Sequence, residues 1–492
     1  MKLKVKHSNF SAGRPIAILN EKTAAKLSLH VNDRILIKFS GRAIEALIDL
    51  SEKIANHGEI VVSKEIIDNL KLKSGEEVTI EPAQKSGAMR IINKKIHGKK
   101  LSEKEIYSII QAISKNSLTE SEIAFFISAV YNSGMSFKEI EFMTRAMYKT
   151  GERLKLSNQY IVDKHSIGGI AGNRTSPIVV SICAAAGLIF PKNSSRSITS
   201  AAGTADTMET VCEVDFSIKE VEKIVKKTGA CLVHGGALGF APSDSKIIEI
   251  ERMINIDPLP NLLSSIISKK LAAGSKYVLI DIPYGTSAKV SRNEALKLKK
   301  AFEKISKRFN LKVKCVLTDG NEPIGNGIGP VLEMRDIISV FSGNGPDDLR
   351  QKSVFLAGEI FELCKKTKKG RGKELAEEIL NSGKAFNKFK EIVKAQKGNP
   401  ENFTKLLTLA KFSKTVLSPK NIKIRSIDNK QCNLLARVAG SPNDKKAGIF
   451  LHCHVGYKLK KGEPILTIYS DNAAKLRNAV DFCKKNKVIS FE

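Results

Sequence analysis

One pattern occurs twice at the start of the chain, 43 positions apart. Ile18-Leu19-Asn20, Leu27-x-Leu29, Asn32-Asp33, Ile35 and Ile37 return as Val61-Val62-Ser63, Leu70-x-Leu72, Gly75-Glu76, Val78 and Ile80. Alternation of apolar and polar residues marks a strand, and the leucine pair before a polar turn marks a short helix. Each copy therefore reads strand, short helix, turn, strand. Two such units predict a small pseudo-symmetric β-barrel over residues 1–85. No residue in it carries evident chemistry, so this module reads as structural or as an assembly element.

The remaining chain changes period more than once. Residues 86–160 read as a helical domain, in which 86–100 is a linker ending at Gly98-Lys99-Lys100. Ser102 precedes Glu105, Thr119 precedes Glu122 and Ser136 precedes Glu139, three capping boxes that each open a helix. Residues 161–420 read as a large mixed α/β domain. Short β-like runs (160–162, 276–282, 313–317) alternate with helices and glycine turns, and 346–415 is mostly helical. Residues 421–492 read as a small β-rich α+β domain, with Ala436-Arg437-Val438 and 461–468 among its strands and turns. The fold class expected is α/β with four parts, two of them small, where length alone predicts roughly three domains.

Composition excludes several classes. Leu, Ile, Val and Phe recur throughout, so the bulk is not disordered. The longest apolar run, Ile178–Phe190, is broken by Ser181 and falls short of the roughly 20 residues a membrane span needs. The start, MKLKVKHSNF, has no apolar signal region, so the chain is expected to be cytoplasmic. Eight cysteines include no C-x-x-C pair, which argues for reduced thiols rather than disulfides or structural zinc. Lys and Arg number 81 against 51 Asp and Glu, a formal charge of +30. The lysines are scattered, Trp is absent and aromatics are 6% of residues, so base-stacking platforms for nucleic acid are not apparent. A lysine-rich surface and an anionic small substrate are expected, with no nucleic-acid or membrane partner.

Four clusters concentrate the chemistry. Residues 163–175 (Asp-Lys-His-Ser-Ile-Gly-Gly-Ile-Ala-Gly-Asn-Arg-Thr) lie between a strand and an apolar helix. Glycines 168, 169 and 172 let the backbone present N–H groups to an oxyanion, with Lys164 and Ser166 adding a cation and a hydroxyl. Residues 194–206 pack small hydroxyls around Arg196, which suits two parallel bonds to a phosphate, and lead into a Gly203-Thr204 turn. Asp257 sits alone between apolar residues; burial would raise its pKa and make it a proton donor, but on these residues alone a helix cap before Pro258 is the favoured reading. Residues 281–289 follow a strand and end on Lys289. His452-Cys453-His454 lacks a third ligand nearby, and His165 and His234 sit in glycine turns where hydrogen bonding is the simpler role.

Together these clusters resemble the nucleoside phosphorylase II family, which includes thymidine and pyrimidine-nucleoside phosphorylases. The runs at 164–169 and 203–206, Asp257…Ser265…269–274, and 318–325 (Thr-Asp-Gly-Asn-Glu-Pro-Ile-Gly) match four of its blocks in order, across about residues 100–492. The chain is most similar to the archaeal-type branch that acts on AMP and carries an added N-terminal domain, as here. That resemblance implies phosphorolysis of AMP to adenine and ribose 1,5-bisphosphate, with CMP and UMP as further substrates. It implies substrate binding by Gly169, Ser195, Arg196, Ser197, Ile198, Thr199, Ser200, Thr204, Ser265 and Lys289, and makes Asp257 the proton donor rather than only a cap. The nucleoside enzymes have an Arg seven residues before that Asp, where this chain has Ile250, and they lack a cation at 289. Inorganic phosphate is then a co-substrate, and no cofactor or metal is expected. A cleft that closes to exclude water, and a homo-oligomer, are expected too. Other readings are a thymidine or pyrimidine-nucleoside phosphorylase, an anthranilate-type phosphoribosyltransferase, and a non-catalytic RNA-binding protein.

Overall fold

Six strands at the N-terminus close into a barrel: β1 (Lys2–His7), β2 (Ile16–Leu19), β3 (Arg34–Phe39), β4 (Arg42–Leu50), β5 (Glu59–Val62) and β6 (Glu77–Pro82). Their order is β1-β5-β2-β4-β3-β6. The 43-residue offset carries β2 onto β5 and β3 onto β6, and it carries β1 onto the second half of β4. Each copy is thus one strand longer than the repeat suggests. β1 pairs in parallel with β5 and β4 in parallel with β2, so the first strand of each copy completes the sheet of the other. Leu3, Val5, Ile35, Ile37, Val78 and Ile80 fill the interior, each at 2% exposure or less. The helices Glu21–Ala25 and Lys64–Leu70 follow β2 and β5, as the leucine pairs predict.

The computed structural model describes residues 1–8, 10–83, 87–157, 159–197 and 200–492. They form two compact units, Met1–Thr150 with Ala241–Ser265, and Gly151–Phe240 with Ile266–Glu492.

In the first unit the barrel is joined by helices Gly87–Ile96, Glu103–Ser114, Glu120–Ser133, Phe137–Lys149 and Pro242–Ile254. The capping boxes at Ser102, Thr119 and Ser136 all form. The expected linker is corrected: residues 87–96 are helical. Its lysines looked like a solvated break, but Lys95 is buried in an ion pair with Glu139 at 2.9 Å, and Lys94 pairs with Glu105 at 2.8 Å. Arg34 of β3 ties barrel to bundle through Glu122 at 2.5 Å and the Ser117 carbonyl.

The second unit is built on parallel strands β7 (Val162–Ser166), β8 (Phe190–Ser194), β9 (Ala230–His234), β10 (Tyr277–Tyr284) and β11 (Lys312–Asp319). β10 lies between β7 and β11, β8 pairs with β9, and a parallel bridge Ile161–Ile189 joins the two sets. The order is β9-β8-β7-β10-β11. The apolar run from Ile178 forms the helix Ser176–Ala185, buried under the sheet with Phe190, Phe361 and Phe389. No helix among the described residues is long and apolar enough to cross a membrane.

The last residues combine strands Phe412–Leu417, Ile422–Ile427, Gly448–Leu451 and Pro464–Ser470 with helices Asn429–Ala439 and Ala473–Lys485. The strand expected at 436–438 is instead helix. Cys432, Leu435, Ala436 and Ala439 recur at three and four residues and bury one face, and Asp428 caps the start by accepting from the Gln431 N–H.

Candidate functional site

From β7 the chain moves outward through β8 to β9, then returns to place β10 and β11 on the other flank. The loops after β7 and β10 therefore part in opposite directions, and in open parallel sheets ligands bind at the C-terminal ends of the strands at such a switch point. The sequence clusters fall on this edge. Residues 167–175 follow β7, residues 195–203 follow β8 and residues 285–290 follow β10. Gly169 has φ +92°, and a Cβ there would stand 2.8 Å from the Lys289 Cβ. The loops carrying Gly169 and Lys289 thus touch through the backbone, which only glycine allows.

Below the loops the side chains are unusually cationic. Lys164 is buried, with Nζ 2.8 Å from Thr175 Oγ1. Burial, with repulsion from Lys352 and Arg174, brings its pKa down to about 8 despite the attraction of Asp281. Lys192 and Lys270 share Asp163 at 3.6 and 2.8 Å, Lys352 faces Asp281 at 3.3 Å, and Arg174 bonds Glu333 at 2.7 Å. These five cations meet three carboxylates. Burial lowers Lys270 to about 7 and drives His165 well below its usual range. Among the same residues, Ser166 Oγ, Asn173 Oδ1, Asn193 Nδ2 and Ser194 Oγ are buried without a hydrogen-bond partner in the protein. Buried polar atoms are otherwise almost always satisfied. Surplus positive charge beside unsatisfied hydroxyls suits an oxyanion supplied from outside.

The loop after β8 departs from its sequence reading. Arg196, read as a bidentate grip for phosphate, makes its bidentate pair with Glu209 at 2.7 and 2.8 Å and adds Asp215 at 2.9 Å. Its guanidinium fastens the loop. Ser197 donates its hydroxyl to the Ser200 carbonyl, and Ser200 donates to Ala202 at 2.6 Å, so neither donor points outward. Asp206 stitches the turn by accepting from the N–H groups of Ser197 and Gly203 at 2.6 and 2.8 Å. Thr204 Oγ1 accepts from Arg174 at 3.2 Å, and Ser195 is exposed. Ile198 and Thr199 lie outside the described residues. Arg174 and Asp206 fall within the sequence motifs, but their spacing gives no sign of the loops they join.

Asp257 and Ser265 belong to the first unit. Ser265 is buried at 8% exposure on the helix Leu259–Ala272. Asp257 is exposed, which corrects the expected burial: its neighbours Ile254 and Ile256 pack on the helical core and leave the carboxylate on the water side. Ile250, at the position of the nucleoside enzymes' Arg, is buried in that core at 4% exposure. His165 is on strand β7 and His234 ends strand β9, so neither sits in a turn. His234 bonds Asp215 at 2.8 Å, while His454 contacts Glu322 at 3.2 Å and Asn326 at 2.9 Å. No group of three His, Cys, Asp or Glu among the described residues is arranged to hold a metal ion.

Known proteins match this arrangement along the whole chain. Residues 89–151 match the helical bundle domain of a glycosyl transferase family, and 158–386 match its a/b domain. Residues 423–490 match the pyrimidine nucleoside phosphorylase C-terminal domain. A solved structure of anthranilate phosphoribosyltransferase from Thermus thermophilus superposes with a TM-score of 0.53 at 19% identity, over 63% of this chain and 99% of that one. Fold and domain content thus define a pentosyltransferase built on a helical bundle and an α/β domain. AMP phosphorylase of Thermococcus kodakarensis is 41% identical over 494 aligned positions, covering 100% of this chain and 98% of that protein. That of Pyrococcus abyssi is 43% identical over the same shares. The chain belongs to the AMP phosphorylase family.

Proposed function

We propose that this protein cleaves AMP with inorganic phosphate, releasing adenine and ribose 1,5-bisphosphate, and that it accepts CMP and UMP as well. The observation that carries the reading is the grouping of three buried lysines, Lys164, Lys192 and Lys270, and the half-buried Lys352 and Arg174 with unsatisfied hydroxyls at the switch point of the sheet. Such a floor suits a multiply charged oxyanion.

In this reading a phosphate oxygen attacks C1′ while the C1′–N9 bond breaks, through an oxocarbenium-like state related to that of glycosidases. The electron pair of the breaking bond goes to the base, and Asp257 supplies the proton that makes it a better leaving group. Lys164, Ser166 and the amides around Gly169 hold the attacking phosphate. Lys289 reads the 5′-phosphate, with Ser265 and Thr204 completing the substrate contacts. Arg196, Ser197 and Ser200 act by shaping their loop. Two phosphates about 5–6 Å apart repel by roughly 1 kcal/mol per charge pair even in water, and by more in a dry site. Fixed cations offset this without a metal ion, so chelation by EDTA is expected to leave turnover unchanged. Small molecules are the proposed partners, in the cytoplasm and in a homo-oligomer, with no role for nucleic acid.

The decisive experiment incubates the protein with AMP and phosphate and measures free adenine, with adenosine as control. Phosphate-dependent release from AMP, and little from adenosine, supports the reading; release from adenosine alone overturns it. A pyrimidine-nucleoside phosphorylase is the rival, favoured by the match at residues 423–490. Thymidine or uridine cleaved faster than AMP would establish it.

A further inference from the structure

We propose that Asn429 and Asn433, one turn apart on the helix Asn429–Ala439, are positioning residues that set all four loops at the C-terminal edge of strands β7, β8, β10 and β11. The inference rests on the reading that these loops receive phosphate. Asn429 is fully buried, and its side-chain oxygen and both N–H donors are hydrogen-bonded. Oδ1 accepts from the Ala171 N–H at 2.9 Å, in the loop after β7. Nδ2 donates to Ser287 Oγ at 2.9 Å, after β10, and to the Gly320 carbonyl at 3.0 Å, after β11. Asn433 accepts from the Ala201 N–H at 2.8 Å, in the loop after β8, and donates back to the Asn429 carbonyl at 2.9 Å.

The arrangement is specific in its chemistry. At Asn429 one N–H, one hydroxyl oxygen and one carbonyl must be met at fixed places, and a neutral carboxamide offers both an acceptor and donors from one planar group. Aspartate at 429 has the same shape, but it would face the Gly320 carbonyl with an oxygen and lose the donor. Leucine would leave the Ala171 N–H and the Gly320 carbonyl buried and unpaired. Ala171 and Ala201 also sit fully buried in the apolar core of the C-terminal part. The loops after β7 and β8 are therefore each pinned by a hydrogen bond and by packing at the same residue, a few positions from Gly169 and Thr204, while the loop after β10 is held by the hydrogen bond at Ser287, two positions from Lys289. A shift of about 1 Å at such a support is enough to misplace a bound reactant.

The test uses the full-length chain with N429D, N429A and N433A, and with K430A on the exposed side of the same turn as control. Activity is normalised to folded protein at a temperature well below each variant's unfolding midpoint. N429D and N429A are expected to raise the KM for phosphate at least tenfold, N433A less because it touches one loop, and K430A not at all. Peptides spanning 167–175, 285–290 and 317–326 should exchange amide hydrogen faster in N429D, whether or not the enzyme turns over. A purely structural role would lower the unfolding midpoint while leaving the KM of the folded fraction unchanged, and that result overturns the proposal. So does unaltered exchange in those peptides. If N429A does not fold, N429D and N433A decide. A wild-type protein that releases no adenine from AMP strikes the phosphorolysis reading instead, and the exchange comparison then judges the positioning claim alone.

Discussion

Lys164 keeps an ammonium group inside the protein at a cost that depends on pH. Its pKa falls from the ordinary 10.5 to about 8, mainly through burial. Between those values the unfolded chain binds a proton that the folded chain has released, so this group makes stability rise with pH from about 8 to 10.5. Phosphate binding should go the other way. Below about 8 the cation is present, and above it the free enzyme must take up a proton to receive the dianion. The KM for phosphate is therefore expected to be flat up to about pH 8 and then to climb, approaching about tenfold per pH unit. Steady-state kinetics across pH 6.5–9.5, roughly the range about this pKa, checks it; in Lys164→Met the break should vanish. At the other reacting end, Asp257→Asn should lower kcat by about 10²–10⁴-fold with AMP binding retained. Near-normal turnover would remove Asp257 as the acid. Lys289→Ala should cut kcat/KM for AMP by roughly tenfold or more, as loss of a charge-assisted contact does, and spare adenosine. An equal loss on both substrates would show that Lys289 does not read the 5′-phosphate. The site was only partly legible at this scale. Lys164, Ser166 and the glycines stand out in the sequence because they are contiguous, on the end of β7 and the loop that leaves it. Arg196 was misread because its partners Glu209 and Asp215 are brought in by the fold, and Asp257 because apolar neighbours in sequence do not decide which side of a segment meets the core.

Helix starts are local, and so the capping boxes could be read three residues at a time. Glu139 shows what such a reading leaves out. One carboxylate oxygen closes the box on Ser136 at 2.8 Å, and the other accepts from Lys95 at 2.9 Å and from the Leu101 N–H at 3.0 Å. Ser136→Ala should cost about 1 kcal/mol, the usual worth of a cap. Glu139→Ala should cost about 3–5 kcal/mol, since it strands a buried lysine. Urea midpoints of the two variants compare them directly, and equal losses would contradict the second role. The barrel teaches the same lesson about strands. Its repeated strands showed as alternation, whereas β1 and β4 were missed because each is completed by the opposite copy, a relation that no local window contains. The helix Asn429–Ala439 was taken for strand because three residues are too few to separate a period of two from one near four.

Across the molecule the charge of +30 raises the question of polyanions. The cations described here are largely committed. Lys192, Lys270 and Lys352 pair inside the sheet, and Lys95, Arg174 and Arg196 bond to carboxylates elsewhere. Diffuse surface lysines attract nucleic acid mainly at low salt. RNA retention in a filter assay should therefore be lost by about 0.15 M salt, and a tight complex persisting there would argue for a dedicated surface.

The loop after β7 and the asparagine that fixes it are 258 residues apart, and the loop after β8 waits 232 residues for its own. Domains emerge from the ribosome in order and fold as they appear. During synthesis the strands and their glycine turns are thus completed long before the helix that locks them. Competence comes late in translation, and a nascent chain stalled before that helix would expose a cationic floor with nothing to shape it.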